Sequence, residues 1–149
     1  MLSRREKRWA AIFADELLPG CEALVQAYGE PPLTLPISIP IDPDGVVLLR
    51  PSGPLDAPRV ASRLKVARAA PGSWHIAIER VDGGPIVIPG IRDEATGADA
   101  PLTVLALDVN KRGMTIAGDL TFDENTARSL ANAVLITINV KLHKAGRPA

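Results

Sequence analysis

The sequence contains one cysteine, Cys21, and two histidines, His75 and His143. A single cysteine excludes an intrachain disulfide, and a cysteine-rich zinc site cannot be built. Aromatic residues are nearly as scarce: Trp9, Phe13, Tyr28, Trp74 and Phe122 complete the set. Stacking platforms for bases or sugars are therefore few, and the core must be made of Leu, Ile, Val and Ala. No apolar run approaches the roughly 18 residues of a membrane span. Near the start, "WAAIFA" is interrupted at once by Asp15 and Glu16, too early for a signal-peptide core. A Gly-rich phosphate loop, G-x-S-x-G and H-E-x-x-H are all missing. These absences describe a cytoplasmic protein with no membrane span, no metal and no cofactor.

Excess charge is lacking too, since 17 Lys/Arg balance 17 Asp/Glu. The balance is local only in part. Residues 1–78 carry nine cations and eight acids, residues 79–124 four and nine, and residues 125–149 four and none. A neutral total argues against a dedicated nucleic-acid binder. The 149 residues fit one domain spanning 1–149. Such a chain can bury about two thirds of its unfolded surface without metal or disulfide staples.

Ser3-Arg4-Arg5-Glu6 has the S-x-x-E form of a capping box, which satisfies two backbone donors at a helix start. Trp9, Ile12, Phe13 and Leu17 then share a helical face, and Cys21, Leu24, Val25 and Tyr28 continue it. Pro19-Gly20 lies between, so the spacing predicts a break or kink near Leu18 and a second short helix to Tyr28. Residues 1–28 are thus a helical segment.

Residues 33–41, "LTLPISIPI", alternate strictly between apolar and polar or proline positions. Pro36 and Pro40 lie an even number of residues apart, so both missing N–H groups belong to one flank. That marks an edge strand that can pair on one side only. The "DPDG" that follows suits a three-residue hairpin loop with Gly45 left-handed, setting Ile41 against Val47 and Ile39 against Leu49. A calcium reading of this turn fails, because an EF-hand register would put Pro40 and Pro51 where the first and last acidic ligands belong.

Similar turn chemistry predicts a hairpin from strand 74–81 to strand 85–89 through "VDGG", and another from 102–109 to 114–121 through "NKRG". "LTVLALDV" is apolar on both faces over most of its length, as a central strand covered on both sides would be. Residues 57–70 fit a helix capped by Asp56 or a strand with Ser62, Leu64 and Val66 on one face; the strand is slightly favoured. Residues 90–101 read as a loop. The expectation is a mainly antiparallel sheet over 33–121.

The last segment, "VLITINVKL", alternates like a strand, yet it also completes a helical stripe. Ala127, Leu130, Ala131, Val134, Leu135, Ile138 and Leu142 follow the helical period without a gap. Its β-branched residues disfavour a helix by a few tenths of a kcal/mol each. Burying each large stripe residue stabilises by roughly 1.5 kcal/mol or more and outweighs that. The helical reading wins for 122–143, with Thr121-x-x-Glu124 as a capping box and Asp123 favourable to the dipole. Ile136 and Val140 fall off the stripe, so a partner subunit can cover this helix. The expected fold class is α+β: N-terminal helices, an antiparallel sheet built from hairpins, and a long C-terminal helix.

His75 has no acid near it along its own strand, because Glu79 is about 13 Å away at strand rise. His143 sits in the last helical turn, where a cation suits the dipole, and Lys141, Lys144 and Arg147 need no other account. Cys21 on an apolar stripe reads as a core residue. A three-residue loop at "NKRG" sets Asp108 against Ile116 and Asp119 against Leu105, so these acids do not meet. Arg4, Arg5, Lys7 and Arg8, followed by Trp9, are the unusual feature, since cations in the first helical turns oppose the dipole.

No catalytic set emerges. The sequence points to a non-enzymatic protein that binds another protein, as adaptor, chaperone or inhibitor. Arg4, Arg5, Lys7, Arg8 and Trp9 are its candidate contact residues, and a homodimer through the terminal helices is compatible with its apolar faces. The alternatives are a nucleic-acid-associated factor using the basic N-terminal helix, and an enzyme with a carboxylate-only site.

Overall fold

The computed structural model describes residues 4–47 and 58–146, with side chains from residue 15 onward. The elements run α1 (Arg4–Tyr28), β1 (Leu33–Pro40), β2 (Arg59–Ala70), β3 (Ser73–Arg80), β4 (Ile86–Asp93), β5 (Asp99–Leu102), β6 (Leu105–Asn110), β7 (Gly113–Ile116), β8 (Leu120–Thr121) and α2 (Glu124–Lys144). The fold is α+β with antiparallel sheets. Among the described residues, no helix is long and apolar enough to cross a membrane.

The strands form two sheets. The larger has the order β1-β2-β3-β6-β7 and the smaller β5-β4-β8. One face of the larger sheet carries Leu35, Leu64, Val66, Ile76, Leu107 and Val109, all buried. Leu17, Cys21 and Leu24 of α1, and Leu130, Val134, Ile138 and Leu142 of α2, belong to the same core. The other face holds Lys65, His75, Glu79 and Asp108, the polar half of each strand's alternation.

The terminal region 134–142 is helical, as its longer period requires, and residues 57–70 contain a strand. Ser62, Leu64 and Val66 are buried while Ala61 and Lys65 are exposed, the period-two pattern of β2. β1 is an edge strand, as Pro36 and Pro40 demand. Its partner is β2, with Ile39 opposite Val60. The expected partner Leu49 lies outside the described residues, and the described part of that hairpin has the Ile41–Val47 bridge. The turn itself forms as expected: Gly45 has φ 85°, and the Asp42 carboxylate accepts from the Asp44 and Val46 N–H groups.

Several expectations need correction. α1 continues through Pro19 as one 25-residue helix. Pro19 forfeits a single backbone bond, to the Asp15 carbonyl, while Leu17, Cys21 and Leu24 are fully buried on both sides of it. Gly20 serves a packing purpose instead, because a Cβ there would lie 3.2 Å from Ile138 Cγ2 on α2.

The "VDGG" segment is not a hairpin between paired strands. β3 is already flanked by β2 and β6, so β4 passes to the second sheet. Arg80 folds over this crossing, donating to both Asp82 carboxylate oxygens at 2.9 and 2.8 Å and to the Pro85 carbonyl at 2.9 Å. Residues 90–101 are not a loop, since β4 runs on to Asp93 and β5 starts at Asp99. The turn between them is held by Asp93, whose carboxylate accepts from the Ala95 and Thr96 N–H groups.

The strand expected over 114–121 divides at Gly118, which has φ 109°, giving β7 in one sheet and β8 in the other. β6 starts only at Leu105 and buries one face, with Asp108 exposed on the other. α2 is capped by Asp123, whose Oδ1 accepts from Thr126 N at 2.8 Å. Thr121 cannot serve as cap because it pairs with Arg92 in the small sheet.

Candidate functional site: an apolar cleft beside the C-terminal helix

The β-branched residues of α2 decide what lies beside it. Val134 and Ile138 point into the core, whereas Ile136 is 49% exposed and Val140 48% exposed. These two are four residues apart and so share one helical face. They border an open cleft of about 320 Å³. Ile37 and Ile39 of β1 form the opposite wall, Ile78 and Leu105 reach it from the large sheet, and Ile86 and Ile88 of β4 reach it from the small one.

Polar groups in the cleft are few. Thr137 Oγ1 donates to the Ala133 carbonyl at 2.9 Å, the local bond usual for a helical threonine. Ser38 lies beside Arg59, whose Nη1 is 3.4 Å from both the Ser38 carbonyl and its Oγ. Among the described residues, Arg59 and Lys144 are the only charged ones lining the cleft, and both are exposed at its rim.

A third cation lies next to this rim. Lys141 is 7% exposed, and its Nζ donates to the Pro36 carbonyl at 2.9 Å. Burial first, and Lys144 second, hold its pKa below the ordinary lysine value. Tyr28 completes the corner, donating its hydroxyl proton to the Lys141 carbonyl at 2.6 Å. Lys141 is thus a structural cation joining α2 to the edge of β1, a role that the helix dipole alone did not suggest.

The other candidates are distributed differently. Arg4, Arg5, Lys7, Arg8 and Trp9 all lie on the first turns of α1, and their side chains lie outside the described residues. Cys21 is fully buried, and burial, with Glu22 beside it, pushes its thiol up to about 12. It is a core residue and not a nucleophile at neutral pH.

His75 has an acidic neighbour across the sheet, which its own strand does not supply. β3 pairs with β6 so that His75 faces Asp108, and His75 Nδ1 lies 3.0 Å from Asp108 Oδ1. Sequence spacing missed this pair because the two residues are 33 positions apart. Both side chains are roughly half exposed, and a short "NKRG" turn sets Asp108 against Thr115, not Ile116. Asp119 lies beyond β7, with its carbonyl accepting from Glu94 N. Among the described residues, no group of three or more His, Cys, Asp or Glu could hold a metal ion.

The chain matches no family model, no curated protein and no solved structure.

Proposed function

We propose that this is a non-enzymatic binding protein, of the adaptor, chaperone or inhibitor kind, and that a partner protein docks an apolar anchor in the cleft beside α2. The carrying observation is the pair Ile136 and Val140, half exposed at the mouth of a preformed apolar cleft. Large apolar side chains placed together at a concave surface are the usual core of a binding site. The basic residues Arg4, Arg5, Lys7 and Arg8, with Trp9, supply a second, electrostatic contact in this reading. Charges at an interface steer association and fix orientation more than they add affinity.

The test replaces Ile136 and Val140 together by Lys. The variant should keep the wild-type melting temperature to within a few degrees, because neither side chain is buried. It should lose the partner that wild type retains on purification from the native host. Full retention of that partner by a folded variant would overturn the reading.

A further inference from the structure

The composition of the cleft specifies more than apolarity. Its wall and floor are aliphatic, and among the described residues no buried side-chain nitrogen or oxygen lacks a hydrogen-bond partner. The interior therefore offers nothing for a polar ligand group to replace. Among the described residues, charge enters at the rim only, as Arg59 and Lys144, with no acid lining the cleft. Among the described residues, Arg59 is held by long 3.4 Å contacts to Ser38, which its guanidinium can leave for a ligand without breaking a strong bond. Lys141 adds positive charge behind Lys144.

An aliphatic interior with two exposed cations at the mouth complements a molecule with an apolar chain and an anionic end. We propose that the cleft binds a single-chain anionic amphiphile of the fatty-carboxylate type, tail along Ile136 and Val140, carboxylate at Arg59 and Lys144. The volume of about 320 Å³ is at the lower end of the range for small-molecule pockets. One unbranched tail suits it better than a two-chain lipid. This inference goes beyond the proposed function: the amphiphile would compete with a partner's anchor for the same space, so its presence would regulate docking.

The experiment titrates the full chain with straight-chain carboxylates of six to twelve carbons, each below its micelle concentration, with methyl NMR as readout. Alcohols and alkyltrimethylammonium ions of equal chain length are the comparison probes. Affinity should rise about fourfold per added methylene, the factor corresponding to about 0.8 kcal/mol of burial, until the cleft is full. Carboxylates should bind more tightly than alcohols, and alcohols more tightly than the cations. Shifts should appear at Ile136 and Val140 and not at Val81 or Val104, which are 50% and 40% exposed elsewhere.

Arg59→Gln with Lys144→Gln should reduce carboxylate affinity at least fivefold and leave alcohol affinity unchanged. Ala133→Phe, which places a ring in the cleft, should abolish binding of both. If that variant does not fold, the charge variant decides alone. Equal affinity for carboxylate and ammonium, or shifts spread over all four exposed residues, would overturn the inference. Loss of the partner from the Ile136/Val140 variant alongside failed carboxylate binding would leave the proposed function standing and remove only this one.

Discussion

Lys141 concentrates several effects in one side chain. It lies where the α2 dipole favours a cation, yet it is 7% exposed and gives its ammonium proton to a backbone carbonyl of another element. Desolvation disfavours its charged form, and Lys144 adds repulsion, so its folded pKa lies below the ordinary 10.5. Between the folded value and 10.5 the unfolded chain binds the extra proton. This group therefore makes stability rise with pH across that window, and its charge opposes folding throughout the neutral range. Lys144→Gln removes the secondary cause. The Lys141 ammonium should then titrate at higher pH in an NMR titration, with stability in urea equal to or slightly above wild type. A downward movement would contradict the assignment.

Asp123 behaves in the opposite sense. Its carboxylate accepts the Thr126 N–H, which holds its pKa below the ordinary 3.8. The stabilisation it brings is complete above 3.8 and is lost as pH falls through the folded value. Asp123→Asn keeps a capping oxygen without the titration. Its urea midpoint should fall less than that of wild type between pH 5 and pH 2, and parallel losses would dismiss the cap as a source of acid sensitivity.

At the level of elements, α2 carries most of the testable energetics. Leu130 is 1% exposed, so Leu130→Ala should destabilise by about 2–5 kcal/mol in denaturant unfolding. Leu135 is only half-buried and should lose less, while Ile136→Ala should change little. Equal losses at the three sites would mean that the helix does not present distinct faces.

β1 offers a different kind of test. In a strand the N–H and C=O of one residue point to the same flank, and the Pro36 carbonyl is bonded to Lys141 of α2, not to a strand. The outer flank is thus protected by two prolines and a lysine, devices that discourage edge pairing. Pro36→Val with Pro40→Val should keep the fold yet promote self-association beyond that of wild type, seen as concentration-dependent sedimentation. A variant as monodisperse as wild type would deny the prolines that role.

What could be read in advance divides along the same lines. β1 and α2 have strong local periods, and the start of β1 at Leu33 and the helical character of the last segment follow from them, whereas helix and strand periods nearly balance over 57–70. Partnership is a different matter. Turn chemistry at "VDGG" cannot reveal that β6 already occupies the flank of β3, so it suggests a β3–β4 hairpin where β4 joins the other sheet. Pro19-Gly20 carries a local signal for a break, which the buried α1–α2 contact at Gly20 and Ile138 overrides. His75 and Asp108 meet only through the β3–β6 register, which no local pattern encodes.

At the scale of the whole molecule, the cleft is the feature least visible in sequence. Its walls come from segments near residues 37–40, 86–88 and 130–144, brought together by two sheets and one helix. The single sequence signal for it was that Ile136 and Val140 fall off the apolar stripe of their helix. Fold and site are linked here. The crossover that sends β4 to the small sheet also carries Ile86 and Ile88 to the cleft. A bulge at Gly90, with φ 94°, brings β4 against the first turn of α2, where a Cβ would overlap the Thr126 side chain. Gly90→Val should therefore disturb the α2 N-terminus as well as β4, lowering the melting temperature more than Gly97→Val, whose surroundings are open. A smaller loss at Gly90 than at Gly97 would separate β4 from α2.

The claim that the cleft is where this protein meets its partner can be tested by placing a photo-crosslinking residue at position 140 in the native host. Position 115 serves as the control, since Thr115 is exposed on the opposite face of the large sheet. The account expects one discrete crosslinked species from position 140, weakened by Ile136→Lys, and none from position 115. Crosslinking from position 115 but not from 140 would contradict it.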